Sequence, residues 1–199
     1  FYSEIIRGAN LQARQCGYNL IVSSARDGDD SHSLLDAIQR RTLLDGFAVM
    51  VSEITDHVQN ALAECKLPYV VLDGDINGTP HDSVVIDQRH GAIQLMRHLL
   101  TVCRMTRVIF LGGHETNVDT RARLDAYRTA LAEQQFEPSP GDIHFLDYAY
   151  ETAYNFALRH VREWAGRGHC VFAANDEMAA GVLAAAIAVG VHVPRELAV

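Results

Sequence analysis

RVIFLGGHETNVDTRARLDAYRTALAEQ, residues 107–134, is the stretch whose reading decides the fold. Val108 to Leu111 is a short unbroken apolar run, as expected of a strand buried on both faces. Gly112-Gly113-His114 then breaks it, and an amphipathic stretch from Thr120 to Gln134 has the period of a helix. A strand, a turn and a helix in this order make one βα unit.

The same alternation extends in both directions. Downstream, Pro138-Ser139-Pro140-Gly141 turns the chain into a strand Ile143 to Leu146, a helix Glu151 to Trp164, a strand Cys170 to Ala173 and a helix Asp176 to Val189. Upstream, a first helix is expected from about Ser3 to Cys16: Ser3 caps it, Ile5, Ile6, Ala9 and Ala13 form one face, and Gly17 ends it. A strand Tyr18 to Val22, a helix near Ser33 to Arg41, a strand Phe47 to Val51, a helix near Asp56 to Cys65 and a strand Tyr69 to Leu72 follow. Asp73 to Asp82 (DGDINGTPHD) reads as a turn-rich linker, after which a strand Ser83 to Ile86 and a helix Gly91 to Leu100 lead back to the opening stretch. The expectation is an α/β fold of two halves, residues 1–83 and 84–199, each a parallel sheet wound on both sides by helices.

Composition narrows the function. The 199 residues are 48% apolar, enough for a core, and no run is long enough to span a membrane. The chain opens on Phe1-Tyr2-Ser3 with neither an initiator methionine nor a basic leader, so it reads as a fragment without a signal peptide. A net charge of −8, from 17 Lys and Arg against 25 Asp and Glu, gives no footprint for a polyanion, so these residues alone should not grip DNA. Cys16, Cys65, Cys103 and Cys170 form no CxxC pair and sit in or beside apolar segments, which favours buried free thiols in a reducing cytoplasm. The ten histidines show no HxH or HxxxH spacing, so no metal site and no cofactor is expected.

Open parallel sheets bind ligands at the carboxyl ends of their strands, where loops and helix N-termini present polar groups. Those ends hold Asp73, then Gly112-Gly113-His114 leading to Asn117 and Asp119, then Asp147-Tyr148, then Asn175-Asp176. Each has a plainer reading: Asp73 as a turn former, Asp119 with Arg123 as a surface i,i+4 pair, Asn175 as a helix cap, and Tyr148 as a strand-end aromatic. Enzyme signatures are absent, with no GxSxG elbow, no phosphate loop and no GxGxxG after the first strand. An α/β hydrolase or kinase is therefore the weakest reading.

Several segments together resemble the effector domain of the LacI/GalR family of transcription regulators and, more distantly, periplasmic sugar-binding proteins. They are Phe1 to Gly8 with Gly17-Tyr18-Asn19-Leu20, Asp45-Gly46-Phe47, Pro68 to Asp73, Val85-Ile86-Asp87 through Gly91-Ala92, and Arg107 to Gly113 followed by Arg121-Ala122-Arg123-Leu124-Asp125-Ala126-Tyr127. Most specific is Phe172-Ala173-Ala174-Asn175-Asp176-Glu177-Met178-Ala179-Ala180-Gly181, completed by Gly190-Val191-His192-Val193-Pro194 and Leu197-Ala198-Val199.

The resemblance implies a periplasmic-binding-protein-like type I fold with a ligand cleft between two subdomains. It places Arg123 where the family binds ligand oxygens bidentately, a role that suits a planar guanidinium. Asp73 and Asn175 fall on hydrogen-bonding positions, Tyr148 on an aromatic that stacks on the ligand, and Phe1 and Tyr2 at the mouth. Asp119 takes a contact position that often carries Ser or Thr, making the pocket more acidic. The family's helix-turn-helix domain, its first strand and the Gly-[FY]-Asp-[DN] segment beyond Val199 lie outside these residues. A small-molecule effector, a sugar first of all, operator DNA reached through the outside domain, and a homodimer using the first helix and the Asp56 to Cys65 helix are the implied partners. The competing reading is a periplasmic sugar-binding protein of a transport system.

Overall fold

The computed structural model describes residues 2–23, 44–50, 56–74 and 81–199, the side chains of residues 2, 56 and 57 excepted. The chain divides into two compact units, Phe1–Val85 and Ile86–Val199. Among the described residues the first holds α1 (Tyr2–Gln15), β1 (Phe47–Met50), α2 (Asp56–Glu64), β2 (Tyr69–Leu72) and β3 (Asp82–Val84). The second holds α3 (Gln88–Arg97), β4 (Arg107–Gly112), α4 (Val118–Glu133), β5 (Ile143–Phe145), α5 (Tyr150–Trp164), β6 (His169–Ala173) and α6 (Asp176–Val189).

In the second unit the strands run parallel in the order β5-β4-β6. Successive side chains of a strand point to opposite faces, so the apolar run of β4 feeds two cores. Val108 and Phe110 turn, with Cys170 and Phe172 of β6, to one face, where Ile93 and Met96 of α3 and Leu124 and Tyr127 of α4 cover them. Ile109 and Leu111 turn, with Val171, to the other, against Val161 and Trp164 of α5 and Met178 and Val182 of α6. A sheet buried on both sides has no reason to alternate polar with apolar, which is why its strands appear in the sequence as unbroken runs. Each large apolar side chain fully buried here contributes roughly 1.5–3 kcal/mol. The two helices on the second face approach closely at Gly181, where a Cβ would meet the Tyr150 carbonyl oxygen at 2.6 Å and the Tyr154 nitrogen at 2.9 Å.

The amino ends of these strands are fastened by charge. Asp142 is almost fully buried just before β5, and its carboxylate accepts from Arg107 Nε at 2.9 Å and from the Ser139 peptide N–H at 2.9 Å. Tyr127 donates its hydroxyl to the Val108 carbonyl at 2.8 Å, and burial raises its pKa. Beyond α6, Ala198 pairs with Cys170 in parallel, with the Val171 N–H donating to the Ala198 carbonyl at 2.8 Å. Leu197 is thereby buried in the second core.

The first unit carries a parallel sheet ordered β1-β2-β3, in which Phe47 lies opposite Tyr69 and Leu72 opposite Val84. Its described core consists of Val49, Val58, Leu62 and Val71. Helix α1 begins at Tyr2, one residue before the expected cap, so Ser3 is inside the helix. It ends as expected at Gly17, whose φ of +82° lets the Gly17 and Tyr18 N–H groups bond back to the Arg14 and Ala13 carbonyls.

Two expectations are corrected. Tyr18 to Val22 is not a strand: no described strand pairs with it, and Tyr18, Leu20, Ile21 and Val22 are exposed. Apolar content made it look like one, but a strand exists only through a partner's ladder. The cysteines are free, yet only Cys170 is buried, while Cys16 and Cys103 are exposed and Cys65 is intermediate. Cys16 lies just past the end of α1, and Cys103 closes a π-helical turn, His98–Val102, through its N–H to the His98 carbonyl at 3.0 Å. The expected helix near Ser33 to Arg41 lies outside the described residues.

Candidate functional site

The carboxyl ends of β4, β5 and β6 gather the polar groups of the second unit. The backbone of β4 ends at Gly112-Gly113, and the Tyr148 ring lies so close to Gly113 that a Cβ there would fall inside it. Glycine at 113 is thus a seat for the tyrosine. Tyr148 itself has a φ of +67°, in the left-handed region a non-glycine residue seldom occupies.

Three neighbouring groups hold it there. Its hydroxyl donates to Asn117 Oδ1 at 2.8 Å and bonds the Thr120 hydroxyl at 2.5 Å, while its carbonyl accepts from Asn175 Nδ2 at 2.9 Å. Asn117 is also the N-cap of α4, accepting from the Thr120 N–H at 3.1 Å, and Asn175 caps α6 through the Met178 N–H at 2.9 Å. Two capping side chains therefore serve twice, each satisfying a helix terminus and gripping one end of Tyr148. On the adjoining loop, Asp147 accepts from the Thr152 hydroxyl at 2.8 Å and the Ala149 N–H at 3.1 Å, and these bonds, the hydroxyl first, hold its pKa below the ordinary carboxylate value.

The first turns of α4 carry the charged half of the cluster. Asp119 and Arg123, both half-buried, stand one turn apart, and the link between them runs through Gln88, the first residue of α3. Gln88 Oε1 accepts from Arg123 Nη2 at 2.6 Å, and its Nε2 donates to Asp119 Oδ2 at 3.4 Å. Thr120 is the residue next to Asp119, so α4 joins both groups: Asp119, Arg123 and Gln88 on one side, Tyr148, Asn117 and Asn175 on the other.

Of the residues expected from sequence, Asp119 and Arg123 thus share one hydrogen-bonded group through Gln88, and Tyr148 and Asn175 share another, both in the second unit. Asp73 follows β2 in the first unit, with a φ of +56° and its N–H donating to the Val84 carbonyl at 2.8 Å. Tyr2 opens α1, Phe1 lies outside the described residues, and so does the Tyr2 side chain. Sequence reading missed Gln88 and Thr120. Asp87 held the available signal for Gln88: its carboxylate caps α3 at the His90 N–H at 2.9 Å, which puts the next residue at the helix start. Among the described residues no three His, Cys, Asp or Glu side chains converge as a metal ion requires.

Comparison with known proteins places this geometry in a family. The profile of the periplasmic binding protein-like domain matches residues 97–199, just over half the chain. The chain is 26% identical over 200 residues to the HTH-type transcriptional repressor PurR of Vibrio cholerae, aligning along 100% of its own length and 59% of the repressor's. It thus spans about three-fifths of that relative. Among solved structures, the transcription regulator CcpA of Lactococcus lactis superposes with a TM-score of 0.83 at 23% identity, covering 99% of this chain and 71% of that one. The regulator CelR, solved as a cellobiose complex, superposes with a TM-score of 0.82 at 26% identity, over 99% of this chain and 60% of that one. Two parallel sheets wound by helices, polar groups collected at the strand ends and these likenesses agree: the chain belongs to the periplasmic binding protein-like domain family.

Proposed function

We propose that the chain binds a small polar effector, a sugar first of all, and that occupancy alters how a dimeric cytoplasmic regulator holds its operator through a helix-turn-helix domain outside these residues. The observation that carries this reading is the cluster on α4, where a half-buried guanidinium, a carboxylate and a pinned aromatic occupy the strand ends of a parallel sheet. Its chemistry suits a hydroxyl-rich ligand: Arg123 donates, Asp119 accepts, and the Tyr148 ring offers a flat apolar surface. The Tyr148 hydroxyl is already engaged, so the ring rather than the oxygen is its contribution. Asp73, Phe1 and Tyr2 are read as further contacts on the resemblance alone. Nothing in this arrangement pairs a nucleophile with a base, and we read the protein as a binding module rather than an enzyme.

The repressors among its relatives favour this reading over a transport protein. The test is made on the complete protein. Calorimetric titration against cellobiose, glucose, ribose and inosine should find a ligand, and DNA selected from a random pool should be a roughly palindromic site whose affinity that ligand changes. Sugar binding without any DNA selection would favour the transport reading, and neither activity would sink both. Arg123→Ala should weaken effector binding by about 2–5 kcal/mol, or roughly 30-fold to several-thousand-fold, because ligand oxygens and a carboxylate lose their donor. If Arg123 were only a surface residue, affinity would not change.

A further inference from the structure

Thr120 is wholly buried in the first turn of α4, and a buried hydroxyl needs a partner. A threonine in a helix commonly finds one in its own backbone. This one bonds the Tyr148 hydroxyl, 28 residues away in sequence. The donors can be put in order. Tyr148 has one hydroxyl hydrogen, and it goes to Asn117 Oδ1 at 2.8 Å. The Thr120 hydroxyl must then donate to the Tyr148 oxygen, at 2.5 Å. Asn117 Oδ1 also accepts from the Thr120 N–H at 3.1 Å, so the path leaves Thr120 by its hydroxyl and returns to it by its peptide. A closed path of this kind fixes where the phenol oxygen sits. The ring that goes with it lies on Gly113. A Cβ there would be 2.5, 2.0 and 2.1 Å from the successive ring carbons Cδ2, Cε2 and Cζ, distances that put it over the ring face and not beyond the ring edge.

We propose that Thr120 is a positioning residue that sets one face of the Tyr148 ring on Gly113 and so presents the other to the ligand. The inference rests on reading Tyr148 as an effector contact. Thr120 acts through the ring, being itself wholly buried. The role belongs to its hydroxyl: a valine at 120 keeps the shape and loses the bond, while a serine keeps the bond and loses a methyl group.

The experiment follows the Gly113 α-protons by NMR in the complete, unliganded protein, assigned by their loss in Gly113→Ala. Protons over an aromatic face resonate upfield, so one of the two should stand well upfield of the other in the parent. Thr120→Val and Tyr148→Phe should both move it downfield, and Thr120→Ser should keep the parent's value. A proton unmoved in Thr120→Val and Tyr148→Phe overturns the proposal. So does equal movement in Thr120→Val and Thr120→Ser, the result that altered packing alone would give. Cellobiose, glucose, ribose and inosine are then titrated into each protein. A probe that binds the parent should bind Thr120→Val about three- to tenfold more weakly, one hydrogen bond on the ring being lost, and Thr120→Ser as it binds the parent. Equal affinity for the parent and Thr120→Val also overturns the proposal. If the proton moves as expected while no probe binds the parent, the positioning role stands and the effector reading is what fails. Tyr148→Phe, which keeps the ring and loses only its oxygen, supplies the comparison with Thr120→Ser should the valine variant not fold.

Discussion

The two ends of the second sheet use the same residue types in opposite ways. At the amino end, Arg107 and Asp142 form a closed pair: the carboxylate is almost wholly buried, one oxygen takes the guanidinium at 2.8 Å and the other a peptide N–H. At the carboxyl end, Arg123 and Asp119 are half-buried and joined through an amide. A closed buried pair satisfies its own charges and is useful only where it stands. At the carboxyl end the Gln88 amide meets both charges without neutralising either. The same sheet thus has one end closed by a direct ion pair and one end where the two charges meet through an amide.

If that contrast is right, damage at the two ends should separate stability from binding. The largest loss of stability is expected from Asp142→Ala, which strands a partly buried guanidinium and an unmatched N–H. Urea unfolding should show about 3–5 kcal/mol lost, with effector affinity unchanged in the fraction that folds. A similar loss of affinity would erase the distinction. Gly113→Ala comes next. Its methyl group must displace the Tyr148 ring, so roughly 1–3 kcal/mol of stability should go, together with a clear loss of affinity, since the ring is the stacking surface proposed for the ligand. Stability lost without any change in binding would move Tyr148 out of the site.

The smallest effect concerns His144, packed between Phe156, His160 and Trp164 beneath α5. Burial is the main reason its pKa lies below the ordinary imidazole value, and His160 adds to that, while Asp142, Glu163 and the Gly141 carbonyl oppose it. Because the folded ring binds its proton less readily than the unfolded one, its contribution to stability is complete above about pH 6.5 and declines as pH falls through that value toward the folded pKa. The group is partly exposed, so the decline should stay under about 1 kcal/mol. Melting temperatures from pH 8 to 5 should fall less steeply for His144→Phe than for the parent, and parallel curves would remove His144 from the account.

What could be read from the sequence was what neighbours along the chain decide. The runs Val108 to Leu111 and Cys170 to Ala173 are strands because both their faces are covered, and Asn175 is a cap because capping acts over three residues. The polar carboxyl end was half legible for the same reason: strand ends and helix starts are local, so Asp119, Arg123, Tyr148 and Asn175 could be named. Gln88 could not, since its bonds span 31 and 35 residues and only the folded chain brings them together. Tyr18 to Val22 failed in the opposite sense. Its composition suits a strand, but pairing is a property of the partner.

The bond from Asn175 to residue 148 is made to the carbonyl oxygen, which every amino acid has. The shape of the β5–α5 loop at that point is therefore secured independently of the side chain that residue 148 presents. An evolving lineage can exchange the aromatic at 148 while Asn175 keeps hold of the loop. Asn175 itself has no such freedom, because a single substitution there would release both a helix cap and the loop that follows β5.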